Sequence, residues 1–398
     1  MESTSKIDVL FFERPLVDLK RYAFRIASVL KKTNSHLSLA SISLELPPAN
    51  TETGMDYHFL RKEIKDIDAF LTKHKVQIIV FTNPRIPDME MILHAHQLNI
   101  KTVMIQEGVI FQGANINDVS ASNALSSLKY AAKTLSYFGI LERMCRYAHK
   151  SYFGLLKNII TKKQNITKIV AHYFSPYLIG DYVLTMGDYW ADYYENVMKY
   201  PAERIRVMGD HDLDGFEFHD KKEKAVCYIA TVLVEDGSRT KEEFKVFIDA
   251  MANCIDKETK LYLKLHPRSN EKLYDELKDH NIEVIRQGDL PSTTIYLGHR
   301  STLLARALYE SDNLIIWKFP NEKEDFFEQF AAYTVSTEEE MKHAFDQINI
   351  NTCTNKKREE MEKIYWLNPR GAIQTAADMI YQYMLEDKID LAIEEEKE

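Results

Sequence analysis

Short apolar runs alternate along this chain with stretches whose apolar residues recur every three or four positions. Ile7–Phe12, His36–Glu45, Val76–Thr82, Thr102–Gln106, Asp181–Met186 and Arg204–Met208 have strand character. Helical spacing is predicted from the end of the first strand to about Lys32, over Tyr57–His74 as a charged amphipathic helix, and near Asp88–Leu98. Strands separated by helices, with no β-hairpin signal between them, predict an open and largely parallel sheet. The alternation stops between Ser120 and Lys163, where long helical stretches take over.

A second alternation starts at Ala225–Thr231 and continues through Leu261–Leu265, Glu283–Ile285, Thr294–Leu297 and Leu314–Trp317. Helices fit at Lys241–Ile255, Glu271–His280, Thr302–Glu310 and Glu338–Ile348, and Gly371–Leu385 is amphipathic. The polar, glycine-containing stretch from Gly209 to Lys224 is the expected boundary, since such segments carry few core contacts. The predicted organisation is an N-terminal Rossmann-like domain over 1–210 with a helical insertion at about 120–164. A linker at 211–224, a C-terminal Rossmann-like domain over 225–370, and a helix with an acidic tail over 371–398 complete it. The fold class is α/β: two doubly wound domains with a cleft between them, the GT-B architecture of many nucleotide-sugar glycosyltransferases. Fold alone leaves several functions open.

At 398 residues the chain exceeds the usual size of a single core, in keeping with two domains. A net charge of −9 argues against a general nucleic-acid binder. Four cysteines, widely separated and without a CxxC pair, suggest neither a zinc site nor a disulfide framework, so a reducing, cytoplasmic setting is expected. No run approaches the ~18 apolar residues of a membrane span.

Three segments of the second half hold the candidate chemistry. Glu235-Asp236-Gly237-Ser238 lies between a strand and a helix, the kind of loop at which open α/β sheets bind ligands. Two adjacent carboxylates can take different roles, one as base and one as orienting group. The same residues also suit a plain turn with Ser238 or Thr240 as helix cap. His266-Pro267-Arg268 ends the next strand, where proline stops the ladder and leaves an imidazole able to pass a proton to a leaving phosphate. Gly298-His299-Arg300-Ser301-Thr302 precedes an apolar helix, whose free N–H groups and positive dipole end favour an anion.

In this order the three segments resemble the D/E-D/E-G, His-Pro and Ser/Thr-pair motifs of bacterial sialyltransferases and related ulosonic-acid (Kdo-type) and polysialic-capsule transferases. The resemblance implies that Asp236 is the catalytic carboxylate, with Glu235 beside it, and that His266 assists departure of the nucleotide phosphate. It implies that Ser301 and Thr302 hold that phosphate; the loops themselves add Gly237, Pro267, Arg268, Gly298, His299 and Arg300 as candidate nucleotide- and phosphate-binding residues. Ser-Thr stands here where many members have Ser-Ser. The implied donor is a CMP-activated nonulosonic or ulosonic acid, the implied acceptor a bacterial surface glycan or glycolipid, and no metal or other cofactor is implied. Asp236 would take the acceptor's proton in an inverting reaction or attack the anomeric carbon in a retaining one.

Three further segments carry candidate roles. Gln106 and Glu107, after the strand Thr102–Ile105, are candidate acceptor-side groups. Asp210-x-Asp212-x-Asp214-Gly215 matches half of a calcium loop, but Lys221 stands where its bidentate glutamate belongs, so a solvated linker is expected. Lys129–Lys163 carries eight Lys/Arg against the single acid Glu142, with aromatics interleaved; this suits either an anionic membrane surface or an inward-packed helical insertion. Two rival functions remain open at this level: a GT-B transferase using a UDP-sugar or CDP-polyol donor, and a non-catalytic glycan- or lipid-binding partner of a capsule assembly complex.

Overall fold

Seven strands form the first sheet: β1 (Val9–Phe12), β2 (Leu39–Ser43), β3 (Tyr57–Leu60), β4 (Ile78–Thr82), β5 (Lys101–Ile105), β6 (Tyr182–Thr185) and β7 (Ile205–Val207). They lie in the order β3-β2-β1-β4-β5-β6-β7, every pair parallel. β1, β2, β4, β5 and β6 are buried along their whole length, because helices cover both faces of a parallel sheet. The structure is a computed structural model and describes residues 6–13, 16, 19–82, 85–107, 137–161, 166–174, 178, 180–198, 200–214, 221–286, 288–320, 322, 326–348 and 371–386.

The second sheet has six parallel strands: β8 (Glu223–Ile229), β9 (Lys260–Lys264), β10 (Ile282–Ile285), β11 (Thr293–Gly298), β12 (Leu314–Trp317) and β13 (Tyr333–Val335). Their order is β10-β9-β8-β11-β12-β13. In each sheet the chain winds outward on one side and then returns to the other side of its first strand. The reversal falls between β1 and β4 in the first sheet and between β8 and β11 in the second. Such a point opens a crevice at the carboxyl ends of the two strands.

Each sheet belongs to its own compact unit. One comprises residues 1–107, 134–216 and 363–398, and the other 108–133 and 217–362. The first has apolar clusters on both faces of its sheet. In the second, Phe244, Phe247, Ile248 and Met251 of the helix Lys241–Cys254 project at helical spacing into one cluster with Tyr228, Leu263 and Trp317. That helix starts with a reciprocal cap. Glu243 N–H donates to the Thr240 hydroxyl (3.1 Å), and Thr240 N–H donates to the Glu243 carboxylate (2.8 Å).

Several sequence expectations change. Tyr57–His74 is not one helix: Tyr57–Leu60 is the edge strand β3, and the helix covers only Ile67–Lys73, capped by Asp66. Glu271–Leu277 is a 3₁₀ turn rather than an α-helix, and β13 is an additional strand. The expected insertion is described only over 137–161, as two helices; 120–136 and 162–164 lie outside the described residues.

The segment expected as a solvated linker is, in its first part, a buried turn of the first unit. Asp210 and His211 are almost fully buried. Asp210 Oδ1 accepts from Asp212 N–H (2.8 Å), and the Asp214 carboxylate accepts from Gly371 N–H (2.5 Å) and Ile373 N–H (3.0 Å). Asp214 thereby caps the helix Ala372–Leu385 from 157 residues away. That helix buries Ile373, Ala376, Ala377, Ile380 and Tyr383 against the first sheet's core, with the Tyr383 ring stacked 3.8 Å from Tyr182.

Candidate active site

The three motif segments occupy the carboxyl ends of the adjacent parallel strands β9, β8 and β11. β8 ends at Ile229, and the chain then folds into consecutive turns. Asp236 N–H donates to Val232 O (3.1 Å), Gly237 N–H to Val234 O (3.2 Å) and Arg239 N–H to Leu233 O (2.9 Å). Gly237 takes φ +82°, a left-handed conformation that glycine adopts without a Cβ penalty. The turn divides the two carboxylates. Glu235 is half-buried, and its Oε1 accepts from the backbone N–H of Asn270 (2.6 Å), tying this loop to the one after His-Pro. Asp236 is exposed; its Oδ1 accepts from Ser238 N–H (3.0 Å) and the Ser238 hydroxyl (2.6 Å), which leaves Oδ2 uncommitted among the described residues.

His266 follows β9, half-exposed, with Pro267 and Arg268 beyond it in solvent. Arg268 N–H donates to His266 Nδ1 (3.1 Å), so the neutral ring carries its proton on Nε2. Partial burial holds the imidazole below its ordinary pKa, and the Arg268 charge adds to this. Glu235 and Asp236 oppose it, which places both carboxylates within electrostatic reach of the ring.

At the end of β11, Gly298 lets strand and helix approach closely, since a Cβ there would sit 2.7 Å from Leu304 Cδ2. The Ser301 hydroxyl accepts from Leu303 N–H (3.3 Å) and its carbonyl from Leu304 N–H (3.1 Å). Thr302 is exposed at the N-cap of the helix Leu303–Glu310, yet its hydroxyl caps nothing. One hydroxyl of the pair is therefore spent on the turn, and the other faces solvent at a helix N-terminus. Arg300 is half-buried in the same loop.

His299 departs from expectation. The motif order places it among the phosphate-binding residues, but the residue is 2% exposed and both ring nitrogens are engaged. Nδ1 donates to Trp317 O (3.1 Å), and Nε2 accepts from the Tyr228 hydroxyl (3.1 Å). Burial pushes its pKa down to about 4, so it is a neutral core residue beneath the loop. The Tyr228 ring lies beside that of Tyr274 (centroids 6.1 Å apart), and burial foremost, with Glu235 adding, keeps both phenols protonated. The two tyrosines form a polar floor that the sequence did not reveal, because Tyr228 reads there as one more apolar strand residue. Arg239 likewise carries no signal in the sequence. It lies over the Phe319 ring (5.2 Å) and pairs with Glu322 (2.7 Å).

The acceptor-side candidates lie in the first unit and are already occupied. Gln106 is fully buried, its side-chain oxygen accepting from Met186 N–H (3.1 Å), so it holds the end of β5 to the loop after β6. Glu107 pairs with Arg21, which also grips both oxygens of Asp212. Glu13, unremarked in the sequence, ends β1 at the first sheet's crevice. It is buried, and its Oε1 takes the Thr82 N–H (2.7 Å), the Thr82 hydroxyl and the Tyr22 hydroxyl (3.3 Å). Burial raises its pKa to about 7 against the pull of the two Thr82 bonds and of Arg85. Among the described residues no three His, Cys, Asp or Glu side chains converge as a metal-ion site.

Two parallel sheets of this kind, with polar loops at their carboxyl ends, define the GT-B class, and solved structures agree. UDP-GlcNAc 2-epimerase from Methanocaldococcus jannaschii matches with TM-score 0.52 at 14% identity, over 95% of this chain and 99% of that one. The S. aureus MnaA–UDP co-structure matches with TM-score 0.56 at 12% identity, over 96% and 99%. A ugt transferase from Siraitia grosvenorii in complex with UDP matches with TM-score 0.53 at 12% identity, over 95% and 100%. At such identities these likenesses carry the fold alone.

No curated protein matches by sequence. The family model alpha-2,8-polysialyltransferase (POLYST) matches residues 24–295, about two-thirds of the chain, and the chain belongs to that family. It is a sialyltransferase-like glycosyltransferase. The matched span contains Glu235-Asp236-Gly237 and His266-Pro267 and ends three residues before Gly298.

Proposed function

We propose that the protein transfers a nonulosonic acid of the sialic-acid or Kdo type from a CMP-activated donor to a bacterial surface glycan, without a catalytic metal. The observation that carries this reading is the juxtaposition at the second sheet's reversal. An uncommitted carboxylate oxygen, an imidazole with its proton on Nε2 and an uncommitted hydroxyl at a helix start crown three neighbouring strands. These are the groups that glycosyl transfer with a phosphate leaving group requires.

Asp236 Oδ2 accepts the proton of the acceptor hydroxyl as its oxygen bonds to the donor's anomeric carbon. The bond from that carbon to the CMP phosphate oxygen breaks, its electron pair stays with CMP, and His266 in its protonated form donates a proton to the departing phosphate. Thr302 and the start of its helix stabilise the negative charge that grows there. Glu235 positions the loops through Asn270, and His299 supports them from below. The family description and the three motifs support the CMP-linked acidic donor over a UDP-sugar or CDP-polyol. A thermal-shift comparison of CMP, UDP and CDP tests it: the largest stabilisation comes with CMP, and a clear UDP preference overturns the donor.

A further inference from the structure

The helix Tyr152–Thr161 of the first unit carries a feature that glycosyl transfer does not use. Phe153 and Ile160 are 82% and 81% exposed, more than any other large apolar side chain among the described residues. They stand seven positions apart, with exposed Lys157 between them at i+4, so the three form one stripe spanning about 10 Å of helix axis. The opposite face is seated: Leu155 is fully buried, and the helix packs on its neighbour Ile166–Phe174. The turn that starts it is pinned as well. Tyr173 donates its hydroxyl to Ser151 O (2.6 Å), and Lys150 Nζ donates to Tyr173 O (2.6 Å). The stripe is thus held outward by a fixed scaffold.

The other residues of this basic segment sort themselves by contact. Tyr147 turns inward, stacked on His94 (3.6 Å) and bonded to Asp68, while Arg143 pairs with Glu90 and Arg146 with Glu142. Lys157 pairs with no acid among the described residues. The sequence around the stripe stays basic, eight Lys/Arg to one acid over 129–163, in a chain whose net charge is −9.

We propose that Phe153, Lys157 and Ile160 form a docking stripe for an anionic lipid bilayer. Two apolar side chains two turns apart, with a cation between them, match the interfacial layer, where acyl boundary and phosphate groups lie at adjacent depths. A stable protein interface needs roughly 800 Å² from each partner, far more than this stripe offers. The proposal is independent of the donor chemistry above, because its test uses no sugar nucleotide.

The test is flotation of the full chain with vesicles of phosphatidylcholine alone and of phosphatidylcholine with about one-third phosphatidylglycerol. The wild type floats with the anionic vesicles, less at high salt. The double variant Phe153→Ser/Ile160→Ser loses about tenfold or more of this binding, and Lys157→Glu loses several-fold on anionic vesicles only. Unchanged thermal unfolding of these exposed-site variants shows that the fold is intact. Flotation unaffected by the substitutions overturns the proposal, as does a wild type that ignores anionic vesicles. Concentration-dependent self-association abolished by the same substitutions also overturns it, by assigning the stripe to a second copy of the chain.

Discussion

The two sheets reverse direction in the same way, yet their crevices differ in chemistry. In the first, Glu13 is buried and bonded to Thr82 and Tyr22, Arg21 joins Glu107 to Asp212, and Gln106 holds a backbone N–H. In the second, Asp236 and Thr302 each leave an oxygen uncommitted and exposed, and His266 is only partly covered. A parallel sheet with a reversal supplies a place for a ligand. What singles out the second as the candidate for chemistry is polar groups left unsatisfied where water, and so a substrate, can reach them.

This contrast yields predictions, the largest first. Asp236→Asn lowers turnover by roughly 10²–10⁴-fold with the thermal midpoint unchanged, because an exposed turn residue contributes little to the fold. Full activity in a purified transfer assay would remove Asp236 from the chemistry.

Glu13→Gln tests the opposite pole. The Glu13 carboxyl has its pKa raised from 4.5 to about 7 by burial, so the native state binds more protons than the unfolded chain between those values. Its contribution therefore declines as pH rises from about 4.5 to 7 and is flat above. Chemical denaturation should show the wild type losing on the order of 3 kcal/mol across that window relative to Glu13→Gln. Parallel pH curves for the two proteins would contradict the assignment.

Asp214→Ala removes both N–H partners at the start of the helix Ala372–Leu385 and costs about 1–2 kcal/mol of first-unit stability, measurable by urea unfolding. The smallest effect comes from Arg268→Gln. Without that neighbouring cation the imidazole of His266 gains basicity, so the limb of kcat/KM that falls with rising pH moves to higher pH by a fraction of a unit. A shift in the other direction would detach that limb from His266.

Val76–Thr82 and Ala225–Thr231 were legible in the sequence as strands because a strand buried on both faces shows as an unbroken apolar run. Tyr57–Leu60 was not, since an edge strand with exposed Tyr57 and mixed polarity carries the charged pattern of a surface helix. The three motif loops could be placed because each directly follows a strand. Their division of labour could not be read in the same way. Only the fold shows that His299 turns into the core while His266 stays at the surface, or that Glu235 is held by Asn270 and Asp236 is not. Asp214 eluded the sequence for a simpler reason, as its partners lie 157 and 159 residues further on.

That distance has a consequence for biosynthesis. The second sheet's core comes from one continuous stretch, Val226 to Ile348, so it is complete once the helix Glu338–Gln347 has followed β13 out of the ribosome. The first sheet's core includes Ile373, Ala376, Ile380 and Tyr383 and must wait for them. The usual order, in which the N-terminal part folds first, is inverted here. The first half of the chain emerges early and finishes late, its apolar surface along Val9, Tyr22 and Phe24 awaiting the helix that closes it.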